Sequence, residues 1–371
     1  MKLSCETKEL RKALQAAVKI VRKEKSARLK AHDEVLEVET IEIPEYVSAS
    51  VNAVIQTEGE CIVDAQLLND LIGRLDDPCI IIETVQDKNG KDIKLQISYN
   101  LEKSETAKAE LHIMIDEAMQ NLPAIVPERT MKFKKNDFDI LIKKVIFASS
   151  RSDEKFSCVQ LNFIDDILFA NATDTHIIAQ KAVECSSDED FDVVVPIGIL
   201  NQIIAIKGTD ESMVDMSVQG NLIKFQVDNI TLISQLLSFK YPPVQRVIPK
   251  SGDLDVHIIL DKTETLKAIN RLTVFNKQNE PLVLNIDNGK VVLTTKTVIG
   301  GLKENISFKN TTNTDSSRLG LNTTYLLNII NSIEGDEVAV MWKREQTKSL
   351  LFEDAKDKNV RYVLSPVRLS A

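Results

Sequence analysis

The chain has 371 residues, 43% of them hydrophobic and 27% charged, the profile of a soluble globular protein with room for more than one core. Its 55 acidic against 46 basic side chains leave a formal charge of -9, which argues against a uniformly basic nucleic-acid binder. No apolar run approaches bilayer length and the opening MKLSCETKEL holds no secretion-signal core. Five cysteines (Cys5, Cys61, Cys79, Cys158, Cys185) without CxxC pairing read as reduced, mostly buried thiols of a cytoplasmic protein.

Taken in chain order, the predicted elements repeat three times. Lys8 to Val21 (KELRKALQAAVKIV) has helical spacing, Arg28 to Val51 reads as a strand pair turning at Asp33, and Asp64 to Leu75 (DAQLLNDLIGRL) is a second helix. The segment Leu122-Pro123-Ala124-Ile125-Val126 closes this first repeat. The second runs through a helix over Asp137 to Phe147, a strand pair over Val159 to Val183 turning at Asp165-Asp166, and a helix over Pro196 to Ile206. It closes at Tyr241-Pro242-Pro243-Val244. The third has a helix over Thr263 to Phe275, a strand pair over Leu282 to Ile306 turning at Asn288-Gly289, and a helix over Asn322 to Ile333. The chain then stops just after Ser365-Pro366-Val367-Arg368-Leu369. Proline lacks a ladder donor and holds its predecessor extended, so it marks where a strand leaves a sheet. Boundaries near residues 126 and 252 follow, the second supported by Pro249 and Ser251-Gly252. The fold class is α+β, in three domains: 1–126, 127–252 and 253–371.

Charge is distributed by element. The first helix of each repeat is basic, with Lys8, Arg11, Lys12 and Lys19, then Lys143 and Lys144, then Lys267 and Arg271; Arg22 and Lys23 follow the first of them. Acids gather elsewhere, in Asp76-Asp77, Ser186 to Asp192, Asp210-Glu211 and Glu334 to Glu337. A chain acidic overall but basic on one recurring helix face can attract phosphate there and repel it elsewhere; for any single one of these helices a solvated face is the better reading, and it is the recurrence in all three repeats that shifts the balance.

Catalysis finds little support. The four histidines (His32, His112, His176, His257) make no HxxH or HxxxH pair, no cysteine stands at ligand spacing from one, and there is neither GxGxxG nor GxxxxGK[ST]. Thr173-Asp174-Thr175-His176 gathers a hydroxyl, a carboxylate and an imidazole, but neighbours on an extended segment point to opposite faces, so these are read as structural or binding residues. No metal, no cofactor and no enzymatic activity are expected.

Three motifs in fixed order then become decisive: Leu168 to Ala179 (LFANATDTHIIA), Phe239 to Lys250 (FKYPPVQRVIPK) and Tyr362 to Leu369 (YVLSPVRL). With the three-domain order, they resemble the bacterial sliding clamp, the β subunit of the replicative DNA polymerase III holoenzyme, from Met1 to the last residues. The resemblance implies a head-to-tail homodimer whose six clamp domains close a ring around duplex DNA without sequence preference, helices inside and sheets outside. It implies a cytoplasmic DNA replication processivity factor that tethers the polymerase III α subunit, the clamp loader and other proteins bearing a clamp-binding motif. It also implies a peptide cleft between the second and third domains. Carried over position by position, the cleft would be lined by Thr173, Thr175, His176, Ile177, Ile178, Pro242, Arg246, Val247, Tyr325, Thr347, Ser349, Val363, Leu364, Ser365, Pro366, Val367, Arg368 and Leu369. DNA would face Arg11, Lys12, Lys19, Arg22, Lys23, Lys143, Lys144, Lys267 and Arg271. The dimer seam would hold Leu111, Ile113 and Ile115, which alternate as on a half-buried edge strand, with Val274 and Phe275 placed against that strand by the resemblance; packing within their own domain cores remains an equal reading. A three-repeat array leaves one exposed sheet edge at each end, and closing two copies head to tail pairs both. The family's usual Thr-Asp-Gly-His-Arg-Leu stands here as Thr173 to Ile178, losing a glycine and a positive charge. Repeat one shows KSARL (Lys25 to Leu29) and IEIP (Ile41 to Pro44) in place of Leu-Pro-Ile-Leu and Thr-Asp-Leu-Glu, and Lys296 to Phe308 lacks a strongly acidic cluster. The rival expectation is a monomeric or easily opened clamp-like protein that sequesters clamp-binding peptides.

Overall fold

The computed structural model describes residues 1–19, 26–100, 106–115, 119, 121–150, 152–187, 189–275, 281–287, 290–298, 300–310, 316–344 and 348–369. Its helices are α1 (Thr7–Val18), α2 (Ala65–Ile72), α3 (Lys135–Lys143), α4 (Ile197–Ala205), the single turn α5 (Val244–Val247), α6 (Lys262–Leu272) and α7 (Thr323–Ser332). Apart from α5, each repeat contributes two. In α1, Leu10, Ala13, Leu14 and Ala17 fall on one face and are buried, while Lys12 and Gln15 point out, as the 3.6-residue period requires. Burying each leucine contributes about 2 kcal/mol. Side chains cap three starts: Asp64 accepts from the amide of Leu67, Asp261 from that of Glu264, and Asn322 from those of Thr324 and Tyr325.

The strand pairs form where the turn residues place them. Asp33 and Glu34 take φ of 45° and 64°, and Asp165 and Asp166 take 51° and 60°, the double left-handed geometry of a tight hairpin turn. The turn at Asn288-Gly289 lies outside the described residues.

The chain packs as two compact units. One comprises Met1–Asp139, Ser187–Glu189 and Gly198–Ser238. Its backbone is a long antiparallel sheet that ends at one side with strand Ala107–His112 and at the other with Arg129–Lys134. The 13-residue strand Glu45–Thr57 joins repeats: its first half pairs with Ile230–Gln235 from repeat two, its second half with Lys2–Glu6 from repeat one. The other unit comprises Ile140–Ser186, Asp190–Ile197 and Phe239–Ala371. Its nine-stranded sheet crosses from repeat two into repeat three where Ile177–Glu184 pairs with Val360–Leu364. The same unit holds a four-stranded sheet with Gly300–Ile306 at one edge and Ser317–Leu321 at the other. No helix among the described residues is long and apolar enough to cross a membrane.

Candidate functional site

The loop between strands Ile167–Thr173 and Ile177–Glu184 is fixed by its own side chains. Asp174 Oδ1 accepts from the amides of His176 (2.9 Å) and Ile177 (3.0 Å); Thr173 Oγ1 donates to the Ile177 carbonyl (2.6 Å) and accepts from the Thr175 amide (3.0 Å). The Tyr325 hydroxyl, in the first turn of α7, donates to the second oxygen of Asp174. Burial and then that carboxylate push the Tyr325 phenol up to about 12. Thr175 is held at φ +80°, a conformation natural to glycine and costly for a β-branched side chain. The chain thus places threonine at positive φ where the resembling motif has glycine. Thr175 and His176 are exposed at the rim, and Thr173 is buried.

An apolar floor adjoins this rim. Ile178 pairs with Val363, which pairs with Leu351, which pairs with Met341. Four neighbouring strands therefore present one row on one face. Met341, Leu351 and Val363 form a cluster with Ile248, and Ile178 and Leu254 pack on it half-exposed. The linker supplies the wall: Pro242 is half-buried, Arg246 and Val247 on α5 are exposed, Val247 by 56%, and Ile248 turns inward. Ser349 is half-buried, and Thr347 lies outside the described residues. The tail crosses the rim stitched at both ends. The Ser365 amide donates to the His176 carbonyl (2.9 Å) and the Val367 amide to the Gly320 carbonyl (2.8 Å). Gly320 permits that approach, because a Cβ there would sit 2.6 Å from the Val367 carbonyl oxygen and 2.7 Å from Leu369 Cδ2. Pro366 and Leu369 are half-buried; Val367 and Arg368 are exposed.

Two expected lining residues belong elsewhere. Ile177 and Leu364 pair with each other and are wholly buried. Strand alternation turns them to the face opposite Ile178 and Val363, so they pack in the core beneath the cleft. Asp174, Ile248, Leu254, Met341 and Leu351 were not anticipated. Ile248 stands in a recognised motif, whereas Met341 and Leu351 join the floor only through non-local register.

The first unit holds a junction of the same register, with Tyr46 paired to Ile233 as Ile178 is to Val363. There Met119, Leu122 and Ile125 of the chain's own linker pack over Ile41, Tyr46 and Ile233.

The basic candidates divide sharply. Lys144 is buried: its ammonium donates to the Ser332 carbonyl at the end of α7 and pairs with Glu334 at 2.9 Å. A lysine so placed fastens helices, and its expected role on DNA is corrected accordingly. Arg11 is half-buried and donates to the carbonyls of Ile72 and Leu75 at the end of α2, again inward work. Arg271 makes a two-pronged bond to Glu304 at 2.7 and 2.9 Å, which holds the Glu304 carboxyl below its usual range. Lys12 pairs with Glu9, and Lys19 donates to the Ala205 carbonyl; burial, then Lys207, lowers the Lys19 ammonium. Lys12, Lys19, Lys143, Lys267 and Arg271 are exposed. Arg22 and Lys23 lie outside the described residues.

Of the seam candidates, Leu111 is buried in Ala107–His112, an edge strand among the described residues. Ile113 and Ile115 lie past its end, half-buried and 75% exposed, so the alternation does not mark one continuous strand. The Ile113 amide still donates to Ile93, the next rung of the ladder, whereas the Met114 amide leaves it and donates to Ile62 on strand Gly59–Asp64. Val274 is 63% exposed just after α6, and Phe275 is half-buried with its ring against Gly300, the first residue of the other edge strand.

Comparison with known proteins agrees with this geometry. Residues 132–243 match the family model for the DNA polymerase III beta subunit, central domain, and residues 245–368 that for its C-terminal domain. A beta sliding clamp of Staphylococcus aureus is 23% identical over 360 residues, covering 95% of this chain and 91% of that protein. The DNA polymerase III subunit beta of Pseudomonas aeruginosa superposes with a TM-score of 0.90 at 19% identity, and the sliding clamp of Bacillus subtilis with 0.87 at 19%, each covering both chains in full. Two adjoining domain matches in the right order, on a fold shared end to end, place the chain in the DNA polymerase III beta subunit family: it is a bacterial sliding clamp, a DNA polymerase processivity factor.

Proposed function

We propose that two copies of this chain close head to tail into a six-domain ring around duplex DNA, and that the ring holds a polymerase and other partners through the cleft beside Thr173–Ile178. The observation that carries it is two sheet edges, Ala107–His112 and Gly300–Ile306, that have no outer strand among the described residues, with apolar side chains close by, Ile113 and Ile115 near one and Val274 and Phe275 near the other. Such edges are a liability in a monomer and are removed by closed pairing. Domains of 1–126, 127–252 and 253–371 are supported by matches to a central domain at 132–243 and a C-terminal domain at 245–368.

Encirclement acts by topology. A weak, sequence-independent attraction for phosphate becomes long residence, because escape requires the ring to open or a DNA end to be reached. Lys12, Lys19, Lys143 and Lys267, with Arg22 and Lys23, are the cations we assign to DNA. Those contacts need only be weak and interchangeable, which permits sliding. The cleft suits an extended peptide: an aliphatic floor for its anchors and backbone-fixed polar groups at the rim. A tethered polymerase then gains local concentration at its template without tighter intrinsic binding. The partners are the polymerase III α subunit, the clamp loader and other proteins with clamp-binding motifs; the role is non-enzymatic and cytoplasmic.

Light-scattering mass across a dilution series tests the ring. Twice the chain mass at micromolar concentration, falling to one chain on dilution, is expected; a monomer throughout would refute it.

A further inference from the structure

The cleft does not end at the Ile178–Val363 row. Along the same two strands and on the same face, the next pairs are Gln180 with Arg361 and then the row of Ala182 beside Phe169. Side chains on one face recur every second residue, so each row lies roughly 7 Å beyond the last. These rows open into a separate groove of about 190 Å³, whose lining includes Phe169, Gln180, Ala182, Glu184, Lys358 and Arg361.

Its chemistry differs from that of the cleft floor. Phe169 and Ala182 are half-exposed and give a small apolar base. Gln180 is buried, with its amide donating to Asn171 at 2.8 Å, so the groove bottom is rigid. Two cations, Lys358 and Arg361, line the groove with one acid, Glu184, and a second acid, Glu353, pairs in register with Arg361 on the neighbouring strand. Arg361 is only loosely held, 3.8 Å from Glu353, whose carboxylate also accepts from Ser251 at 3.0 Å.

We propose that this groove is an extension subsite of the peptide-docking surface, taking an acidic segment that flanks the apolar anchors of a linear partner peptide. The inference rests on the cleft reading above. Continuity of face and strand with the cleft floor says what reaches the groove, and the two cations beside an apolar base say which side chains it holds: a carboxylate next to a small apolar residue. The contribution is one of selection among partners, since rim charges discriminate more than they bind.

The test uses the full-length protein and a pentapeptide copied from the clamp-binding segment of a bacterial DNA polymerase III. It is compared with versions extended at either end by Glu-Ala-Glu or by Lys-Ala-Lys. Calorimetry should show the acidic extension tightening binding about fivefold at one end only, with the basic extension giving no gain. In the double variant Lys358→Glu, Arg361→Glu, both exposed positions, the gain should vanish while the unextended pentapeptide keeps its affinity. No gain in the wild-type protein, or a gain that survives the double variant, overturns the subsite while leaving the cleft intact. A pentapeptide that fails to bind the wild-type protein overturns the cleft reading, and the subsite falls with it.

Discussion

Lys143 and Lys144 are neighbours in sequence and opposites in structure, so reversing each charge separately gives a sharp test. The Lys144 side chain is 9% exposed, bonded to the Ser332 carbonyl and to Glu334, near the buried carboxylate of Asp354. Glu334 is 62% exposed, so water screens its end of the pair and the ion pair itself contributes little. The charge-assisted bond to the helix terminus is worth about 1.5–3 kcal/mol. Lys144→Glu loses that bond and buries an anion beside two others, for a total of about 3–5 kcal/mol. Melting of the unit that contains it should fall on the order of 10 °C. Lys143→Glu, at an exposed position, should stay within about 0.5 kcal/mol of wild type while shortening retention on nicked circular DNA and flattening its salt dependence. Calorimetric melting paired with the retention assay reads both. A Lys144→Glu protein that melts with wild type would refute the reasoning, because it would mean the ammonium is not held inside.

Thr175→Gly removes a β-branched side chain from φ +80°; relief of about 1–2 kcal/mol offsets glycine's greater unfolded-state freedom, so thermal melting should hold or rise slightly, and a clear loss would show that the hydroxyl matters more than the backbone. Gly320→Ala forces a Cβ onto the Val367 carbonyl and Leu369, at a cost of about 1–3 kcal/mol. The tail should become sensitive to carboxypeptidase, and unchanged resistance would contradict the stitching at Gly320. Ile177→Arg, which by family resemblance alone would retune peptide preference, should instead destabilise the fold by several kcal/mol, because the side chain is wholly buried. Phe275→Ala should raise the monomer fraction in a light-scattering dilution series; an unchanged midpoint removes it from the seam.

Local features of this fold were readable because they are written locally. The helical spacing of Leu10, Leu14 and Ala17 and the turns at Asp33 and Asp165-Asp166 each lie within a few residues of what they determine. What was lost is rotational and non-local. A step of one residue turns a helix by about 100° and a strand to its other face, which separates Lys144 from Lys143 and Ile177 from Ile178. Sheets that run across repeats, such as Ile177–Glu184 onto Val360–Leu364, bring Met341 and Leu351 under the cleft from more than 150 positions away in the chain, and no periodicity records that.

Retention on DNA with and without an end tests the central claim most directly. The protein is loaded onto nicked circular plasmid, separated from free protein at moderate salt, and the plasmid is then cut once. A closed ring stays on the circle and leaves promptly after linearisation; dissociation at the same rate from circular and linear DNA would contradict encirclement and leave only ordinary phosphate binding.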